Sequence, residues 1–429
     1  MLKKQSFNYK WVIVALSFIM VFTALGFCSS TKSLFVAPVT SALGIERSLF
    51  SLNDSFRFIS TAVINIFFGT LVNKFGSKKL ICAGFVSLIA SSLIYSFANN
   101  VFVFYIGGCL LGIGLSWTTT TMVGYVINKW CKENKGTVMG AVLAANGLGG
   151  ALATQIVNRI IHSDDNPLNY KKAYLTIAII LAVVGIIIFI FFKEKPKDYT
   201  ESEVTEKKKP KRGRSWEGID SSDAFKKAYF YGACICIFFT GLILQGIGGI
   251  AAAHLGDVGL NADYVATVLS IHSLALTGFK FLTGFLYDKL GLRFTVSTCS
   301  VAAIVVMFLL ASVTNSTTGM IFAMMYGIFS SLALPLETII LPIYAADLFG
   351  EKSFNKILGI FVSVNTAGYA LGAPLMNLCY DILGSYVLAL LICGILMSAV
   401  LIALQFVISA GNRQHKLVIE NTKTLEETA

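Results

Sequence analysis

The sequence predicts an all-α membrane protein whose helices form two matching bundles of six. Three observations predict it. First, 55% of the 429 residues are hydrophobic and only 13% are charged, a balance that does not suit a water-facing surface. Second, apolar runs of about 20 residues, the length a helix needs to cross a bilayer, recur from Trp11 to Ala410 with short polar breaks. These runs lack the period of two that a membrane β-barrel strand requires. Third, residues 193–227 are the one long hydrophilic interior segment, and they divide the spans six and six. The expected organisation is therefore a first bundle at 1–192, a linker at 193–227, a second bundle at 228–410 and a tail at 411–429.

Span one (11–36) follows Lys3, Lys4 and Lys10, but it is full length and lacks a small-residue cleavage site, so it reads as a retained span rather than a signal peptide. Its far end is polar, Cys28-Ser-Ser-Thr-Lys32-Ser33. Span two (50–73) carries Asp54 and Arg57 at i, i+3, spaced to pair on one face. Spans three (80–98) and four (102–128) hold no charge, and span four offers Trp117 and Tyr125 as cavity-lining candidates. Span five (136–159) contains Gly140, Asn146 and Gly149, and span six is 173–192. Span seven (228–252) is interrupted by glycines around Gln245, with His254 just past its end. Span eight (262–287) holds His272 and Lys280, span nine is 294–313, and span ten (318–346) holds Glu337 and Tyr344. In span eleven (354–379), Gly359, Asn365 and Gly368 repeat Gly140, Asn146 and Gly149 at a constant offset of 219, with Tyr369 next to them. Span twelve is 385–410.

With the N-terminus placed in the cytoplasm, 27 of the 34 Lys and Arg residues fall on inside segments. Arg47, Arg159, Lys171 and Lys172 fall outside, and Lys32, Arg57 and Lys280 lie within spans. The positive-inside rule then puts both termini in the cytoplasm of a multi-pass cell-membrane protein, and it accounts for most of the +11 net charge without a nucleic-acid partner. The Lys207-Lys-Lys-Pro-Lys-Arg212 cluster fits a linker held near anionic headgroups. The nine cysteines show no metal-ligand spacing and read as packing residues. No paired-carboxylate, metal or phosphate-binding motif occurs, and no loop is long enough for a soluble module. An enzyme, a receptor, a cofactor and an obligate protein partner are therefore not expected.

An ionisable residue in mid-span costs about 2.5–3.5 kcal/mol on insertion scales, so each one is a functional candidate. Lys280 lies eight residues before Asp288 and Glu337 ten before Asp347, on spans of the same direction, which places them at one depth. A lysine and a glutamate at one level can neutralise each other until a substrate carboxylate or a proton competes. Lys32, Arg57 and Lys280 against Asp54 and Glu337 leave a positive excess, which favours an anionic cargo. Gln245, Asn146, Asn365, Trp117, Tyr125 and Tyr369 are softer substrate-contact candidates, each also explicable as helix packing. His254 and His272 are proton-uptake candidates.

The halves repeat a loop. Gly69-Thr-Leu-Val-Asn73-Lys74-Phe-Gly76-Ser-Lys78-Lys79 follows span two, and Gly284-Phe-Leu-Tyr-Asp288-Lys289-Leu-Gly291-Leu-Arg293 follows span eight. The pattern G-x-L-x-D-K-x-G-x-R resembles the loop signature of the major facilitator superfamily, complete in the second copy and with Asn73 for the acid in the first. The resemblance implies secondary transport by alternating access, with these loops gating rather than binding cargo. Thr31-Lys32-Ser33-Leu34-Phe35-Val36, Leu71–Lys78 and Lys129-Trp-Cys-Lys-Glu-Asn-Lys-Gly136 are together similar to the monocarboxylate transporter family. That resemblance implies that Lys32 serves proton-dependent anion uptake and that Lys280, at the place of the family's span-eight arginine, is the counter-ion of the substrate carboxylate. Two departures follow. The family's span-eight acid falls on Leu276, and lysine cannot form arginine's bidentate fork. Glu337 is the candidate replacement for that acid.

An oxalate/formate-type carboxylate antiporter is the nearest alternative, but it would be expected to carry a second cation in span eleven, where this chain has Asn365, Thr366 and Tyr369. Multidrug efflux is disfavoured because Ala145-Asn-Gly-Leu-Gly-Gly150 in span five lacks the Gly-Pro pair of drug exchangers. The expected cargo is a small organic anion with one carboxylate, and the resemblance implies symport with a proton.

Overall fold

The structure, a computed structural model, describes residues 9–131, 135–164, 166–194, 218–338, 340–350 and 352–428. The Lys207–Arg212 cluster and Lys132-Glu133-Asn134 of the fourth loop lie outside the described residues. Among the described residues every regular element is a helix. Ten helices are long and apolar enough to cross a bilayer, and a pair bent by 63°, Arg47–Ile66 with Phe68–Phe75, adds an eleventh. The twelfth lies inside the 50-residue helix Ala262–Ala311, which Gly291 breaks at φ 80° and ψ 174°. At about 1.5 Å per residue an unbroken helix of that length would reach about 75 Å, more than twice a bilayer core. The break therefore separates spans eight and nine.

Gly76, in the matching loop of the first half, has nearly the same backbone, φ 83° and ψ 159°. A side chain is strained at such a φ, which explains why the repeated loop keeps glycine at this place in both copies. Large apolar side chains such as Ile186, Phe189, Ile395 and Phe406 remain exposed, as a lipid-facing surface requires.

Contacts divide the chain into two units, Met1–Glu206 with Ala262–Leu274, and Lys207–Asn261 with Ala275–Ala429. The division cuts span eight. Its first part belongs to the first unit, where Gln155 Nε2 donates to Ser270 Oγ at 3.0 Å and Asn158 Nδ2 donates to Asp263 Oδ1 at 3.1 Å.

Inside each unit an equivalent pair of spans crosses at backbone distance. A Cβ on Gly149 of span five would lie 2.2 Å from the Phe22 carbonyl oxygen of span one, and one on Gly368 of span eleven would lie 2.3 Å from the Phe238 carbonyl oxygen of span seven. These are the two glycines that the 219-residue offset pairs. Lipid gives helices no hydrophobic reason to associate, so close backbone packing at small residues has to supply it.

Several spans are less regular than their hydropathy suggests. Span one is helical over Lys10–Leu25, widens to a π-turn at Gly26–Ser30, tightens to 3₁₀ at Lys32–Phe35 and resumes over Val36–Leu43, seven residues past its expected end. Span four breaks at Thr119, between Val101–Thr118 and Thr120–Trp130. Span ten breaks at Leu334, after Thr317–Ala333, and the next helical residues begin at Pro335, which lacks the N–H that would continue the ladder. The last helix runs Val387–Thr428, through the segment expected to be a tail, because no glycine or proline follows Gly411 to stop it.

Candidate functional site

In the first unit the broken part of span one presents Lys32 to span two. Lys32 Nζ donates to Asp54 Oδ2 at 2.8 Å. Arg57, one turn along from Asp54, brings Nε to 3.2 Å from Oδ1. The sequence suggested the Asp54–Arg57 pair, but it left Lys32 separate, so the three-membered cluster is new. Its members differ in access. The Lys32 and Asp54 side chains keep 18% and 16% of their surface, whereas Arg57 keeps 4%.

Arg57 is also sparsely bonded. Its Nε meets Asp54 as an ion contact but is too poorly aligned for a hydrogen bond, and its Nη1 reaches Ser29 Oγ only at 3.4 Å. The guanidinium stands 4.2 Å from the Phe58 ring centroid, a favourable face for a cation. Two features hold this turn of span two in place. A Cβ on Gly112 of span four would lie 2.2 Å from the Arg57 carbonyl oxygen, so only glycine lets span four approach so closely. Tyr95 of span three donates its hydroxyl to Asn53 Oδ1 at 2.7 Å. The two cations and the two acceptor oxygens of Asp54 are thus held in place by packing.

In the second unit Lys280 is half-buried in span eight and enters no ion pair or hydrogen bond among the described residues. Glu337 is buried, 6% exposed, in the first helical turn after the break at Leu334. The Tyr369 phenol is engaged by the side chains of both Glu337 and Asn365. Asn365 also lies against Gly241 of span seven. A cavity of about 10 Å³ beside it, lined by Thr240, Leu341, Tyr344 and Asn365 among others, has room for about one water molecule.

The remaining candidates divide. Trp117 Nε1, Asn146 Oδ1 and the Tyr344 hydroxyl are buried without a hydrogen-bond partner among the described residues. Buried polar atoms are ordinarily satisfied, so these three are exceptions to that rule. Gln245 is half-buried in span seven. Tyr125 accepts from Lys129 one turn on, and its ring lies 4.3 Å from the same ammonium, so it belongs to the end of span four. His254 is 2% exposed, with Nε2 at 2.9 Å from the Leu310 carbonyl and an edge-on contact with Tyr386. Since a carbonyl only accepts, Nε2 carries the proton, and the ring ties span seven to span nine. His272 is half-buried in the part of span eight that joins the first unit.

The repeated loops are anchored differently. In the second copy Arg293 donates Nε to Gln405 Oε1 and Nη2 to Ser409 Oγ, both at 2.8 Å, while Tyr287 beside Asp288 donates to Asp347 Oδ1 at 2.8 Å. Lys289 and Gly284 complete that loop, and around Gly284 there is open space. In the first copy Lys74 closes the last turn of its helix, where a cation suits the dipole, and Gly69 also faces open space. Asn73 leaves this loop without its acid, yet a carboxylate is present: Glu194, just past span six, accepts from Ser77 N at 3.0 Å. Sequence reading missed Glu194 because it is 117 residues away from Ser77.

Twelve helices in two units, discontinuous spans that carry the intramembrane charges, and a glycine-turned loop in each half define a secondary transporter fold. Comparison with known proteins agrees. The profile described as Major Facilitator Superfamily matches residues 11–245 and 233–426, and the chain belongs to that family. Among curated relatives, an uncharacterized MFS-type transporter, YcxA, of Bacillus subtilis is 28% identical over 68% of each chain. Monocarboxylate transporter 13 of Rattus norvegicus is 23% identical over 82% of this chain and 80% of its own length. The solved structure of the nucleoside transporter NupG superposes with a TM-score of 0.75 at 13% identity, covering 93% of this chain and 99% of that one, a likeness of fold. The protein is a multi-pass membrane transporter of this superfamily.

Proposed function

We propose that the chain carries a small organic anion with a single carboxylate across the cell membrane by alternating access, in symport with a proton, and with both termini cytoplasmic. One observation carries the reading: Lys280 is a half-buried cation in mid-span that no acid neutralises among the described residues. A charge held there without a counter-ion is costly unless the cargo supplies one. The cluster of Lys32, Asp54 and Arg57 adds a further net positive charge in the other half. The likeness to a monocarboxylate transporter supports the same cargo class.

In this account the cargo carboxylate meets Lys280, while Glu337, held by Tyr369, is the acid at the same expected depth that takes the proton. Asn146 and Trp117 in the first unit and Gln245 and Asn365 in the second are further substrate contacts in this reading, and the Gly76 and Gly291 loops gate transport. The test is uptake into liposomes containing the purified protein, with an inward proton gradient and a panel of labelled monocarboxylates. At least one acid accumulates, and Lys280→Ala lowers its uptake at least tenfold. No uptake of any acid, or normal uptake by Lys280→Ala, overturns the proposal.

A further inference from the structure

The reading above leaves Asp54 with no task beyond neutralising its neighbours, yet its position is unusual. It is the acid between two cations, on the turn that Gly112 and Tyr95 hold in place. The titratable or charged groups around it are Lys32 from span one, with Cys28 beside Arg57, Arg57 from its own helix, Tyr95 from span three and Tyr174 from span six. Span four contributes glycines to this contact rather than charge. The three charged side chains sum to +1. A carboxylate that bound Lys32 and Arg57 would face Asp54 across the same two cations, and two anions would then share a site built for one. Arg57 meets Asp54 through its buried Nε at 3.2 Å without a hydrogen bond, so a guest carboxylate would displace a loosely held acid.

Resting on the anion-carrier reading, we infer that Asp54, rather than Glu337, takes the coupled proton: cargo carboxylate displaces it from Lys32 and Arg57, and it takes one proton from water as it leaves them. The balance is simple. One anion and one proton enter together, no bond is oxidised or reduced, and the cluster keeps its +1 charge throughout. Release on the other side reverses both steps, and Asp54 recaptures its two cations. The cluster therefore crosses between its states at constant charge, which avoids the cost of moving an unbalanced charge within the bilayer. Lys32 and Asp54, the two members that keep some exposure, are the two whose contact opens, while Arg57 stays fixed as the buried anchor.

The experiment compares two transport modes in liposomes, using an acid that the wild-type protein accumulates under a proton gradient. Asp54→Asn is expected to lose gradient-driven accumulation at least tenfold while still exchanging labelled for unlabelled acid at equal pH, because exchange needs no net proton movement. Accumulation by Asp54→Asn at the wild-type level overturns the inference and leaves the anion-carrier reading intact. Absence of both modes in the wild-type protein sinks that reading first. If Asp54→Asn does not yield folded protein, Asp54→Glu supplies the readout, since a longer carboxylate in the same contacts shifts the pH midpoint of uptake. An unmoved midpoint in that variant, with uptake retained, also overturns it.

Discussion

The two halves of the molecule share a skeleton and differ in their charges. Gly149 and Gly368 perform the same packing task at equivalent crossings, and Gly76 and Gly291 turn equivalent loops. The intramembrane charges do not repeat. The first half gathers Lys32, Asp54 and Arg57 into one contact, whereas the second leaves Lys280 outside any ion pair among the described residues and holds Glu337 against Tyr369. Duplication thus fixed the frame on which alternating access depends, and the chemistry diverged inside it. Packing at a crossing tolerates little change, while a charged side chain away from the crossings is freer to be replaced.

That contrast is open to attack at several points. The largest effect is expected from Asp54→Ala, which strands Lys32 and Arg57 without an acid and should cost about 3–5 kcal/mol, seen as a lower melting temperature in detergent. Glu337→Gln, which weakens the contact with Tyr369, should cost about 1–3 kcal/mol. Equal losses from the two would deny that the halves differ in kind. Next, Gly149→Leu and Gly368→Leu should each lose about 2–3 kcal/mol through overpacking at the crossings, in step with one another. Gly359→Ala, where a Cβ meets open space, should instead gain up to about 1 kcal/mol from helix propensity.

His254→Gln should remove about 1 kcal/mol by loosening the bond to Leu310, with the pH profile of uptake unchanged. A shifted profile would return His254 to the proton pathway. The smallest change is expected from Glu194→Gln, about 0.5–1 kcal/mol for a weakened cap on the third span, with no matching site in the second half.

Much of the frame was legible in the sequence because it depends on local rules. Hydropathy gave spans, the 219-residue offset gave the equivalent crossings, and the loop glycines gave the turns. The i, i+3 spacing also gave the Asp54–Arg57 contact. What stayed hidden was long-range or a matter of helix breaks. Lys32 reaches Asp54 only because span one loosens at Gly26–Ser30 and tightens at Lys32–Phe35, and hydropathy averages over such changes. The Leu334-Pro335 step was a readable signal for the break before Glu337. The Glu194 cap joins segments separated by four spans, and no local pattern announces it.

The central claim is that cargo enters as one anion with one proton, and the charge moved is its most direct measure. Liposomes loaded with potassium and treated with valinomycin let the membrane potential be set independently of the pH gradient, while a transported labelled monocarboxylate reports uptake. The account predicts uptake that follows the pH gradient and does not change when the potential is reversed. Uptake that follows the potential and ignores the pH gradient would contradict it.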